Sequence, residues 1–157
     1  MKELIVIIGE DLLKEFYPRT NEFTSRVIAF PENYEHPKKQ VELIEQICIE
    51  FNKSDESLYI LTNSPYIIDH LSNLMRAYKL GDDRIAEEFL LQDKNAFIDP
   101  EVVTVSLFED GKFTDVFDNA DNDCIINWTT FSEVTDKILD IWDKTLEMEE
   151  EIKKGSE

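Results

Sequence analysis

Residues 58–71, Leu58-Tyr59-Ile60-Leu61-Thr62-Asn63-Ser64-Pro65-Tyr66-Ile67-Ile68-Asp69-His70-Leu71, change period within one short stretch. Leu58 to Thr62 reads as a strand covered on both faces, because apolar residues run together instead of alternating. From Ile67 the apolar side chains return at helical spacing through Ile68, Leu71, Leu74, Met75 and Tyr78. Ser64 can cap that helix and Pro65 can start it, since the N–H that proline lacks is unsatisfied in a first turn. Gly81 then suits the left-handed position past a helix end. A strand buried on both faces implies a parallel-type sheet flanked by helices.

The same alternation extends upstream. Pro37 opens a helix to about Asn52, with Val41, Ile44, Ile47, Cys48 and Phe51 on one face. Arg26 to Phe30 is a short strand stopped by Pro31, and Glu10 to Phe16 is a short helix broken by Pro18. Leu4-Ile5-Val6-Ile7-Ile8 before Gly9 is a second buried-type strand. Strand, helix, strand, helix is the βαβ signature.

Downstream, Asp83 to Leu91 is a short amphipathic segment. Val102 to Phe108 and Lys112 to Phe117 alternate around Asp110-Gly111, a hairpin signal. Thr130-Phe131-Ser132-Glu133 reads as a capping box opening a last helix, with Val134, Ile138, Ile141, Trp142 and Leu146 inward. The expected fold is α/β: a small, mainly parallel sheet flanked by helices, with a C-terminal β-hairpin and a closing helix. A single domain is expected over residues 1–146, followed by a charged tail over 147–157.

The chain has 157 residues, 42% of them apolar, with 10 Phe, 5 Tyr and 2 Trp. That is a globular composition, long enough to bury roughly two-thirds of the surface the unfolded chain exposes. Asp and Glu number 35 against 16 Lys and Arg, for a net charge of -19. Such a surface repels the phosphate backbone, so direct nucleic-acid binding is disfavoured. No segment reaches the length of a membrane span, and the run after Lys2 is too short for a signal peptide. A cytoplasmic protein is expected. Cys48 and Cys124 lack the spacing of a disulfide framework or zinc site and are expected as reduced thiols.

The stretch from Arg26 to Ala77, with VIAFPENYEHPKKQVELIEQICIEF at 27–51 and LYILTNSPYIIDHL at 58–71, resembles the C-terminal half of ABC-class ATPase domains of the overcoming-lysogenisation-defect and related prokaryotic kind. In that family a hydrophobic strand ends in Asp-Glu-Pro-Glu, a His-Pro pair opens a helix, and the next strand ends in Thr-His-Ser-Pro. Pro31, Glu32 and Asn33 fall on the end of the strand motif, His36-Pro37 on the helix opening, and Thr62, Ser64, Pro65 and Tyr66 on the second strand's switch motif. Residues 78–146 fit the family more loosely.

The resemblance also implies what has changed. The family's metal-associated Asp falls on Ala29, its water-activating Glu on Phe30, and its γ-phosphate-sensing His on Asn63. Phosphoryl transfer requires Mg²⁺ held by oxygen ligands and a group that orients the attacking water. Methyl and phenyl side chains do neither. No Gly-x-x-x-x-Gly-Lys-Ser/Thr loop occurs, and Gly9 is the only glycine before Gly81. No cofactor, metal or catalytic residue is therefore expected.

Glu32 and His36 can be read as a residual acid and base or as a pair at a helix start, and the second reading is favoured. Asn63 and Ser64 can cap a helix or face a partner's nucleotide. His70 reads as surface or half-buried rather than as a ligand. The acidic clusters Asp118 to Asp123 and Glu147 to Glu151 lack the glycine-punctuated pattern of a calcium loop and read as solvated.

The leading expectation is a non-catalytic ATPase-like protein that binds and regulates or inhibits an ABC-class ATPase or an associated effector. Because the resemblance points to ATPases found in antiphage systems, a phage origin is part of that expectation. Glu32, His36, Asn63, Ser64 and Tyr66 mark the candidate partner-binding face. The alternatives are an acidic mimic of nucleic acid that blocks a DNA-binding protein, and an ATPase subunit completed by another chain.

Overall fold

Leu4–Gly9 forms β1, and its apolar residues divide between two faces: Ile5 and Ile7 point one way, Leu4, Val6 and Ile8 the other. Both sets are covered, with Leu4, Val6 and Ile8 at most 1% exposed. The computed structural model describes residues 1–16, 26–33, 35–118, 123–127 and 129–156; of Leu13 and residues 129–132 only the backbone is described. The expected break at Pro18 and most of the acidic cluster 118–123 lie outside these residues, as do the side chains of Thr130, Phe131 and Ser132.

After β1 come α1 (Leu12–Phe16), β2 (Arg26–Ala29), α2 (Pro37–Lys53), β3 (Leu58–Leu61) and α3 (Pro65–Leu80). Three 3₁₀ turns, at Asp83–Glu88, Lys94–Ala96 and Pro100–Val102, lead into β4 (Val103–Glu109) and β5 (Lys112–Asp115). The five strands form one sheet in the order β2-β3-β1-β4-β5, parallel except for β5. The α/β class, the parallel sheet and the hairpin are thus as the sequence implies.

Right-handed crossovers decide which helix lies on which face. The chain steps from β1 across β3 to β2, then returns through β3 and past β1 to β4. Opposite directions of travel place α1 on one face and α2 and α3 on the other. Leu12 and Phe16 of α1 accordingly pack with Ile7, Leu61 and Phe108. Ile44, Cys48 and Phe51 of α2 and Ile67, Ile68, Leu71, Leu74 and Met75 of α3 are buried.

Both long helices are capped as their sequences require. His36 Nδ1 accepts from the Lys38 N–H at 3.2 Å, and Ser64 Oγ accepts from the Ile67 N–H at 3.2 Å. Gly81 takes φ 67° at the end of α3. Lys2 closes α2 from outside, donating to the carbonyls of Phe51 at 2.8 Å and Ser54 at 2.6 Å, where a cation meets the negative helix end.

Several features differ from the sequence reading. The Arg26 strand stops at Ala29, because Phe30 takes φ 50°. Tyr78, read as inward, is 47% exposed, and its hydroxyl donates to Asp99. Phe117 leaves the hairpin and pairs as β6 (Phe117–Asp118) with β7 (Ile125–Ile126). The last helix, α4 (Thr129–Gly155), has 27 residues and runs through most of the segment read as a tail. Its Glu- and Lys-rich sequence favours helix, with Lys144–Asp140 and Lys153–Glu149 pairs at 2.7 Å one turn apart.

Residues 1–127 form one compact unit and residues 128–157 another, whereas the sequence reading joined 1–146. The α4 positions read as inward, Val134, Ile138, Ile141, Trp142 and Leu146, are 44–64% exposed. Helical periodicity identifies an apolar face but not what covers it. Among the described residues no helix is long and apolar enough to cross a membrane.

Candidate functional site at the carboxyl ends of the strands

Adjacent parallel strands whose connections leave to opposite faces open a crevice at their carboxyl ends, and in this sheet those strands are β1 and β3. Gly9 ends β1 there and Asn63 follows β3. The Asn63 side chain lies in the gap: its Oδ1 accepts from the Gly9 N–H at 2.9 Å, and its Nδ2 donates to the Gly9 carbonyl at 2.9 Å. The carboxamide acts as an extra peptide group, extending the β1–β3 ladder one step beyond the last backbone bond, Thr62 N–H to Ile7 O at 3.0 Å.

Gly9 is required for a separate reason. A Cβ at this position would lie 2.0 Å from the Phe108 carbonyl oxygen of β4, and its φ is 142°. Only glycine allows β4 to come that close.

Glu32 joins from the loop after β2. Its Oε1 accepts from the Asn63 N–H at 2.8 Å, so one asparagine links the ends of β2, β3 and β1. Glu32 Oε2 is buried and has no hydrogen-bond partner. Ser64 is 3% exposed; its hydroxyl donates to Gln40 Oε1 at 2.5 Å while capping α3. Gln40 Nε2 in turn donates to the Glu35 carbonyl at 2.8 Å, fixing the start of α2 against the start of α3.

The five candidate residues therefore divide. Asn63 and Ser64 are occupied by bonds within the fold, Glu32 by one of its two carboxylate oxygens, whereas His36 and Tyr66 present exposed surface, Tyr66 at 47%. His36 Nδ1 is bound to the backbone two residues on, which is the helix-start role. Ala29 is exposed at the end of β2. Phe30 packs on the α1 face against the cluster of Ile7, Leu12, Phe16, Leu61 and Phe108, and its N–H donates to the Leu61 carbonyl at 2.7 Å.

A buried carboxylate that the sequence reading passed over lies on α2. Glu45 is fully buried and accepts from the N–H groups of Leu90 and Leu91 at 3.0 Å each, with His70 Nε2 3.2 Å away. It fastens the segment just after the Asp83–Glu88 turn to α2, while the His70 ring lies tilted at 52° against Phe89, centroids 5.3 Å apart. One signal was present: Glu45 stands on the inward stripe, four residues after Val41 and three before Cys48. Cys48 is fully buried beside it, and burial first, then the Glu45 charge, push its thiol far above the usual range.

Among the described residues no three His, Cys, Asp or Glu side chains converge as a metal cage would require. No protein-family model, curated protein or solved structure matches the chain, so the ABC-class resemblance stands on the motif residues themselves.

Proposed function

We propose that this chain is a non-catalytic, ATPase-like interaction protein that binds an ABC-class ATPase or its complex and regulates or inhibits it. A phage-encoded protein acting in the cytoplasm against an antiphage system fits this reading. The observation that supports it is the use made of Phe30 and Asn63. The phenyl ring at the water-activating position belongs to the core cluster, and the carboxamide at the γ-phosphate-sensing position is spent on Gly9. Both side chains serve the scaffold. Fold is retained where chemistry would need charged groups, and function follows the site rather than the fold.

His36 and Tyr66 are the exposed members of the candidate face and can be changed without opening the interior. Titration calorimetry with ATP and Mg²⁺ is expected to give no binding; micromolar affinity would instead favour an ATPase subunit. A purified ABC-class ATPase from an antiphage system is expected to be captured and to change its turnover at saturating protein. Tyr66→Ala together with His36→Ala should weaken that capture by on the order of tenfold or more, as for an exposed aromatic anchor. Unchanged turnover with no capture across such ATPases sinks the reading.

A further inference from the structure

From Val134 a line of five apolar residues and one threonine follows alternating steps of four and three, Val134, Ile138, Ile141, Thr145, Met148 and Ile152, with Leu139, Trp142 and Leu146 beside it. This is a heptad seam, with Ile138, Thr145 and Ile152 at the first core position and Val134, Ile141 and Met148 at the second. The seam is open on α4, with Val134 55%, Ile138 60%, Ile141 52%, Met148 60% and Ile152 70% exposed. In proteins most helical stability comes from burying an apolar face.

Charge and side-chain chemistry beside the seam indicate what covers it. Lys137 and Lys144 precede the first core positions, while Trp142 and Glu149 follow the second. When two such helices lie parallel and in register, each residue before a first core position meets the partner residue five places further on. Lys144 then exchanges its exposed pair with Asp140, and Glu149 its exposed pair with Lys153, for each other across the two copies, and Lys137 meets the Trp142 ring, an ion pair and a cation–π contact each made twice by symmetry. Most of the remaining carboxylates, Glu133, Asp136, Asp140, Asp143, Glu147 and Glu150, lie on the side away from the seam and stay in water.

We infer that α4 is a self-association helix that pairs two copies of this chain as a parallel coiled coil over about 27 Å, the span from Val134 to Ile152. The partner is a second copy because the helix complements itself on both flanks of the seam.

The full chain is the material for the test, by sedimentation equilibrium across micromolar concentrations. A dimer is expected that Ile141→Asp weakens by on the order of a hundredfold, because a carboxylate would enter the seam, while the folded 1–127 unit keeps its unfolding transition. Lys144→Glu should weaken association about tenfold and the added Glu149→Lys should restore it, whereas Lys154→Glu, the same charge change on the outer side, should leave it nearly unchanged. Thr145→Cys should cross-link to its own copy under a copper–phenanthroline oxidant, because a parallel register places the two residues opposite each other. A chain that stays monomeric at about 0.1 mM overturns the inference, since typical coiled-coil pairs of this length would associate there. So does a dimer that ignores Ile141→Asp, or one in which Thr145→Cys fails to cross-link.

Discussion

Asn63 shows how one residue can look functional in sequence and be structural in the fold. It follows a strand and precedes a Ser-Pro helix start, the setting of a nucleotide-sensing residue in the family the chain resembles. In the structure its amide satisfies both backbone groups of Gly9 and its own N–H is held by Glu32. Asn63→Ala should therefore leave a part-buried donor and acceptor unpaired and cost about 1–3 kcal/mol in urea unfolding. A cost below a few tenths would show that the gap is already solvated. Cys48 acts at the same scale through pH. Its folded thiol titrates well above an unfolded one, so the folded form holds a proton that the unfolded chain releases above about pH 8.5. Stability from this group is complete below that pH and falls as pH rises, by up to about 1.4 kcal/mol per unit. Cys48→Ala should remove one proton's worth of that alkaline slope; an unchanged slope would place the loss elsewhere.

The hairpin was the clearest element to read, because its chemistry is local. Asp110 and Gly111 both take positive φ, 50° and 74°, as a two-residue turn matching the twist of the strands requires. Gly111→Val should cost about 1–2 kcal/mol in thermal unfolding, as a β-branched residue is forced left-handed; a neutral result would mean the turn can change type. Legibility elsewhere follows the same division. α2 and α3 were readable from end to end because proline, cap and glycine signals sit in their own sequences. The end of α4 is hidden in the sequence because a run of Glu and Lys has the composition of a solvated tail, although Glu and Lys also propagate helices. Phe117 was lost to β6 because its partner Ile126 lies beyond the hairpin. At the candidate site, position was legible but occupancy was not: which bonds Asn63 and Ser64 make depends on Gly9 and Gln40, neighbours brought from 54 and 24 residues away. Glu45 was legible only as a carboxylate on an apolar stripe.

At the scale of the molecule the excess of carboxylates dominates. A net charge of -19 works against any compact state and against bringing two copies together, and salt screens both within about 10 Å at ordinary ionic strength. Thermal unfolding measured from about 0.05 to 0.5 M NaCl should therefore shift upward by several degrees, and self-association should tighten. A melting temperature that falls with salt would mean that the pairs Arg26–Glu50 and Lys94–Asp83 outweigh the repulsion.

The strut between Gly9 and Asn63 also governs how the protein ages. An asparagine followed by serine is lost over time when the next backbone nitrogen attacks the side-chain carboxamide and expels ammonia to close a cyclic imide, which water then opens to an acid. Here the carboxamide is held at both ends by Gly9, and the would-be attacking nitrogen, that of Ser64, donates to Thr62 Oγ1 at 3.1 Å. Folded protein in storage should keep Asn63 intact, while partly unfolded protein should gain about 1 Da at the peptide carrying it. That mass shift would serve as a clock for opening of the strand ends, and each molecule it marks would carry a new carboxylate beside Glu32.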